Sequence, residues 1–318
     1  MLDSCYAHWR RLGIVFLTIT IASCASNPQT QIAMPTFELT PSPQPTLTVA
    51  ALPTITPIET PSVTPTLNSK PALVVLAQNL PSPDDLLLAP NGSIYISDVQ
   101  DQTIKEYTQD GNLQTLISGL SEPEGMVVLP DGSLIIVEQG KNRLVHYDPT
   151  TKALSLFLAF RNTTGQDGVD GIAYDSKTQT IVVPDSPDGT VLRVSLDGKT
   201  VSEIAHGFVR PTGAWVEADG SILVVDENAN SLSRIHPNSI VEKLANLPTP
   251  DDVIEDGSGN IFVNTLGDGA IHFISANTNR DLVLVNGMID PQGLIFDTDG
   301  NLVITDAGHH QLDKLIIH

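Results

Sequence analysis

Three observations predict an all-β fold, a six-bladed β-propeller with four strands per blade. The first is a repeated phrase. "PEGMVVLPDGSLIIVEQ" (123–139) returns as "PTGAWVEADGSILVVDE" (211–227) and, more loosely, as "PDDLLLAPNGSIYISDV" (83–99) and "PQGLIFDTDGNLVITDA" (291–307). The second is its period: six units open at Pro83-Asp84-Asp85, Pro123-Glu124-Gly125, Val169-Asp170-Gly171, Pro211-Thr212-Gly213, Pro250-Asp251-Asp252 and Pro291-Gln292-Gly293. The spacing is roughly forty residues, the length of one four-stranded blade. The third is an offset between the ends: the last unit stops one strand short, and an unmatched strand precedes the first.

Each unit reads as four strands. In the second, an apolar run (Met126 to Leu129) leads to a turn at Pro130-Asp131-Gly132 and a second apolar run (Leu134 to Val137). A polar loop follows, then a third strand (Leu144 to Tyr147) and a fourth (Ala153 to Phe160). The first two runs are almost continuously apolar, as expected of strands buried on both faces between packed blades. The Asp-Gly and Asn-Gly pairs suit the positive-φ positions of two-residue hairpins. After Leu312 to Ile317 the last unit has spent only three strands. "ALVVLAQNL" (72–80) matches the fourth strands "LQTLISGL" (113–120), "IVEKLANL" (240–247) and "DLVLVNGM" (281–288). The N-terminal strand is therefore expected to complete the last blade and leave no open seam. An open solenoid or a two-sheet sandwich would not predict that offset.

The first 70 residues are not part of the ring. Arg10 and Arg11 precede an apolar run, Leu12 to Ala22, too short to span a bilayer and ending in small residues, the layout of an export signal. Ile21-Ala22-Ser23-Cys24 resembles a bacterial lipobox, which implies cleavage after residue 23 and a lipid on Cys24. The arginine pair also fits a twin-arginine signal. Residues 24–70, rich in Pro, Thr and Ser with hardly a charge, read as an extended tether. At ~3.1 Å per residue it reaches on the order of 100 Å. The expected layout is a lipoprotein signal (1–23), a lipidated tether (24–70) and a propeller (71–318) anchored to the outer face of a bacterial membrane. The other cysteine, Cys5, falls in the signal, so the mature domain has no disulfide to draw on.

Charge narrows the partners. The 318 residues carry 37 Asp+Glu against 16 Lys+Arg, a net of −21. Nucleic acid and anionic membrane are repelled by such a surface, so the membrane is met only through the lipid, and cations or a protein or small-molecule partner are favoured. No G-x-S-x-G elbow, H-E-x-x-H pair or phosphate-cradling glycine loop is present.

The unit P-x-G-h-h-h-x-x-D-G-x-h-h-h-h-D resembles the NHL-repeat propellers and the senescence-marker-protein/gluconolactonase group over roughly residues 71–318. In a blade, the loop before the first strand and the loop after the second emerge on one face, and both carry acids. The inner set is Asp84, Glu124, Asp170 and Asp251, with Thr212 and Gln292 at the remaining two blades and Asp85 and Asp252 beside them. Converging carboxylates repel, and the repulsion is relieved by protons or by a cation; oxygen donors suit Ca²⁺ or another hard divalent ion. Asp84, Glu124, Asp170 and Asp251 are thus candidate metal ligands. The outer set is Asp98, Glu138, Asp185, Asp226 and Asp306, with Thr265 in the fifth blade. It offers a ligand-binding face together with Asn264 and His309, or simply turn acids bonded to loop N–H groups, as where Glu138 can meet Arg143. The resemblance implies a metal at the axis with a Glu, an Asn and an Asp as ligands and, with it, hydrolysis of lactones or related esters. By position Asp84 stands for the Glu and Asp251, the candidate catalytic residue, for the Asp; Thr212 replaces the Asn, and Arg161, Asn162 and Asn264 are loose counterparts of the substrate-recognition residues. The damaged ligand set favours a binding module without chemistry over a lactone hydrolase. His309 and His310 lie on the acidic face; Trp215 reads as core packing, and His146, His236 and His272 as surface.

Overall fold

The computed structural model describes residues 71–161 and 168–317, which form six four-stranded antiparallel sheets, each in simple up-and-down order. Cys24, the signal, the tether and Asn162 lie outside the described residues. Five sheets are continuous in sequence, beginning at Pro83, Pro123, Ala173, Pro211 and Pro250. The sixth joins the strands Pro291–Phe296, Leu302–Asp306 and Gln311–Ile316 to the N-terminal strand Ala72–Gln78, which pairs with Gln311–Ile316 from Ala72↔Ile316 to Gln78↔Gln311. Closure by the first strand is therefore as expected. Among the described residues the one helical element is a 3₁₀ turn, Gln139–Lys141, and no helix is long and apolar enough to cross a membrane.

Burial follows the radius of the ring. Second strands such as Leu134–Glu138 and Ile222–Asp226 are buried at every position, because a blade packs on each face. The first strand of blade 2, Pro123–Val128, is likewise buried at all but its last position, whereas that of blade 1, Pro83–Leu88, is only partly buried. Fourth strands such as Ala153–Ala159 lie on the rim and are largely exposed. Apolar clusters fill the spaces between successive blades, for example Val137, Leu144 and Ile172 with Ile181 and Val183 between blades 2 and 3. Burial at about 25 cal/mol per Å² of apolar surface is the main stabilising contribution in a domain without disulfides.

The turns differ from the two-residue form. Leu129 N–H donates to Ser133 O at 2.8 Å and Gly132 N–H to Leu129 O at 2.9 Å, which makes a three-residue loop. Only the glycine is left-handed, Gly132 having φ +85°; Asp131 instead accepts the Ser133 N–H at 3.0 Å. His272 corrects a second expectation: it is buried, not on the surface, its Nδ1 2.9 Å from Asp281 and its Nε2 3.3 Å from Asp268. Two carboxylates at the blade edge cover the ring.

Candidate functional site

The axial mouth is built by a β-bulge repeated from blade to blade. In blade 1, Pro83 pairs with Asp98 and Leu86 with Ile96, so Asp84 and Asp85 together oppose the single residue Ser97. The same shift follows Pro123, Pro211, Pro250 and Pro291. An extra residue breaks the alternation of the strand and re-aims the side chains at its end.

The third residue of each opening lies where neighbouring blades meet most closely. A Cβ at Gly125 would stand 2.8 Å from Gly171 Cα, and one at Gly293 would stand 2.8 Å from both Asp84 O and Asp85 Cα. Hydrogen bonds run from blade to blade at this level: Gly125 N–H to Asp170 O and Gly171 N–H to Thr212 O, each 3.2 Å, and Thr212 Oγ1–H to Asp251 O at 2.8 Å. Asn264 Nδ2 continues the ring to Pro291 O at 2.6 Å, and Thr305 Oγ1 donates to Asp84 O. These bonds position the acids.

Asp84, Glu124 and Asp170 come together, each offering a carboxylate oxygen within 4.8 Å of the others. Asp251 lies outside this trio but raises the pKa of Glu124 across the axis. Burial is the main reason that these groups resist ionisation, and mutual repulsion adds to it. Burial, opposed by a hydrogen bond with Glu124 and reinforced by Asp170, pushes Asp84 up to about 8. Burial and Asp170 push Asp85 up to about 7. Glu124 is raised by burial and by Asp84, Asp251 by burial and by Asp170, and Asp252 by burial and by Asp85. One cation enters this field: Arg210 bonds Asp170 at 3.0 Å and also pairs with Glu227, while Gln139 Nε2 lies 3.3 Å from Asp170.

The donor set suits a hard divalent cation: three converging carboxylates, all oxygen. Thr212 adds little to it, because its fully buried hydroxyl is turned to the Asp251 carbonyl.

The outer acids are buried and hold the loops. Asp98 accepts the N–H groups of Ser82 and Asp101 and lies 3.5 Å from Lys105. Asp226 accepts those of Val209, Arg210 and Ala229, and Asp306 those of Ile289 and His309. Glu138 pairs with Arg143 and Lys141. Burial, then Asp188, raises Asp185. Asn264 accepts the Asp252 N–H at 2.7 Å. His309 Nδ1 lies 2.8 Å from Asp306 Oδ2 with the imidazole partly exposed, and His310 Nδ1 is 2.8 Å from Pro81 O. Arg161 pairs with Asp188 at 2.6 Å at the surface.

Sequence reasoning missed two features. Arg210 precedes the fourth repeat, and a lone Arg before a Pro carried no sign of the 40-residue reach in sequence to Asp170. Trp215 does pack against its neighbours, but it also borders the axial cavity.

No family profile matches the sequence, and no curated protein matches it either. Solved structures do. A gluconolactonase from Xanthomonas campestris has a TM-score of 0.67 at 15% identity over 78% of this chain and 90% of its own. Regucalcin, a calcium-binding protein from Agrobacterium tumefaciens, has a TM-score of 0.65 at 14% identity over 77% and 94%. Virginiamycin B lyase from Staphylococcus aureus has a TM-score of 0.60 at 14% identity over 78% and 99%. At these identities the likeness is one of fold, the six-bladed propeller.

Proposed function

We propose that this propeller is a binding module that holds a divalent cation at its axial mouth and presents the acidic face around it to a small ligand or protein partner. One observation carries the reading: Asp84, Glu124 and Asp170, from three different blades, place carboxylate oxygens within 4.8 Å of one another. Such a cluster needs either protons or a cation, and a divalent ion satisfies all three at once. The fold-level likeness to a calcium-binding protein supports the choice of cation. Calorimetric titration of the full chain with calcium, magnesium and manganese tests it; absence of heat with all three removes the proposal.

A second reading, a metal-dependent hydrolase of lactones or related esters, is favoured by the likeness to a gluconolactonase. A bound divalent ion would supply Lewis acidity at the mouth. Asp251, kept protonated by burial and by Asp170, would serve as the acid beside it. Chelator-sensitive turnover of a lactone panel, lost on Asp251→Ala, selects this reading; no turnover of any lactone selects the binding module. We further propose that the chain is exported and tethered through Cys24. Labelling with a fatty-acid analogue, abolished by Cys24→Ala, is the expected outcome, and equal labelling of the variant refutes it.

A further inference from the structure

Beneath the mouth lies a cavity of about 230 Å³ on the axis. Its belt takes one side chain from each blade, two residues beyond the third residue of each opening: Leu87, Val127, Ala173, Trp215, Ile254 and Ile295. All six are apolar, and Trp215 supplies an aromatic wall. Above the belt, at the third residue of each opening, four blades have glycine and two have aspartate, Asp85 and Asp252. Both aspartates line the cavity.

Four of the six blades do without a side chain at this position. They meet at this level through glycine, with backbone atoms about where a Cβ would stand. A carboxyl side chain at a position that four of the six blades leave without a side chain is a local departure of the kind found at functional sites. Neutral donors hold the carboxylates: Leu86 N–H to Asp85 at 3.1 Å, and Val253 and Leu294 N–H to Asp252 at 2.7 and 3.3 Å. Among the described residues no Lys, Arg or His lines the cavity, and Arg210 is committed to Asp170 and Glu227 at the mouth.

We infer that the cavity binds a small organic cation, a primary ammonium group seated between Asp85 and Asp252 with an apolar body of about phenyl size against the belt. An apolar cavity of about 150 Å³ is known to hold benzene, so the larger volume here accommodates a ring and a short aminoalkyl arm. The ammonium offers three donors to two carboxylates, and the ring packs on Trp215. This site is one tier below the proposed metal ligands and does not depend on a metal at the mouth.

The chain contains two tryptophans, Trp9 and Trp215. The full chain carrying Trp9→Phe therefore reports on the cavity through Trp215 fluorescence. It is titrated with 2-phenylethylammonium and with the neutral isostere 2-phenylethanol, both in the presence of chelator. A saturable change with the amine, at least about tenfold tighter than the alcohol, is expected from a charge-assisted contact. Asp85→Asn and Asp252→Asn, each checked for folding by circular dichroism, should reduce amine affinity to that of the alcohol, and Asp197→Asn, at an exposed carboxylate outside both sites, should leave it within about threefold. The inference is overturned if amine and alcohol bind alike, if neither binds, if both the Asp85 and Asp252 variants bind the amine as the parent does, or if Asp197→Asn loses as much as Asp252→Asn. Calcium titration reads the mouth separately, so the failure of one site is distinguishable from that of the other.

Discussion

At the scale of single residues, the protein concentrates carboxyl groups around its axis, where water is scarce, with Arg210 beside Asp170 among them. Asp84, with its pKa raised to about 8, and Asp85, raised to about 7, bind more protons in the folded chain than in the unfolded one over the range from about pH 4 to those values. The unfolded state then gains by releasing protons, so stability falls as pH rises through that window, by up to about 1.4 kcal/mol per pH unit for each group titrating. Without divalent ions, Tm should drop by at least ~5 °C between about pH 5 and pH 8, and saturating calcium should cancel the drop. A flat Tm across this range in chelator would contradict the arrangement of acids. Glu124→Gln removes one charge from the trio without changing its shape. Calcium affinity should fall by about tenfold or more, while the metal-free variant melts about 2–4 °C higher at about pH 8. Calorimetry and thermal melting measure the two effects, which have opposite signs.

At the scale of the strand, the bulge after each opening Pro is the device that builds the mouth. Regular alternation would send Asp84 and Asp85 to opposite faces; opposing both to Ser97 lets Asp84 join the trio while Asp85 lines the cavity below. Close contact between blades depends on the same level. At Gly293 a Cβ would stand 2.8 Å from Asp84 O and Asp85 Cα, both backbone atoms that cannot yield as a side chain end would. Gly293→Ala should therefore cost about 1–3 kcal/mol in urea denaturation, as overpacking does, and weaken calcium binding by displacing Asp84. A variant as stable as the parent would mean that blades 6 and 1 are less tightly apposed.

At the scale of the whole molecule, the ring is closed by pairing its two ends. The strand Ala72–Gln78 completes the sheet of Gln311–Ile316, and Leu80 N–H donates to His310 O at 3.1 Å beside it. A chain lacking residues 1–70 should fold with an unaltered melting transition, because it keeps all the described strands of the six sheets. A chain lacking 1–80 leaves the edge Gln311–Ile316 unpaired and should melt early, lose cooperativity or aggregate. Size-exclusion chromatography and thermal melting of the two truncations side by side make the comparison. Equal behaviour would show that the first strand is dispensable to the ring.

The repeated phrase determined the architecture without help: blade number, strand number and the offset closure all follow from counting apolar runs, because sheet packing repeats whatever the sequence repeats. It also marked Asp84, Glu124, Asp170 and Asp251 as neighbours in space, since equivalent positions of a ring share an axis, and the first three come together. Tertiary structure alone decided the rest. Whether Asp251 joins the trio, whether Thr212 faces the axis or the next blade, and where Arg210 lands depend on side-chain directions set by the bulges and by bonds between blades. So does the burial of His272, which two carboxylates cover, one in the loop before the third strand and one in the next strand. The cavity beneath the mouth exists because six strands from distant segments stand a fixed distance apart, a spacing that no single repeat encodes.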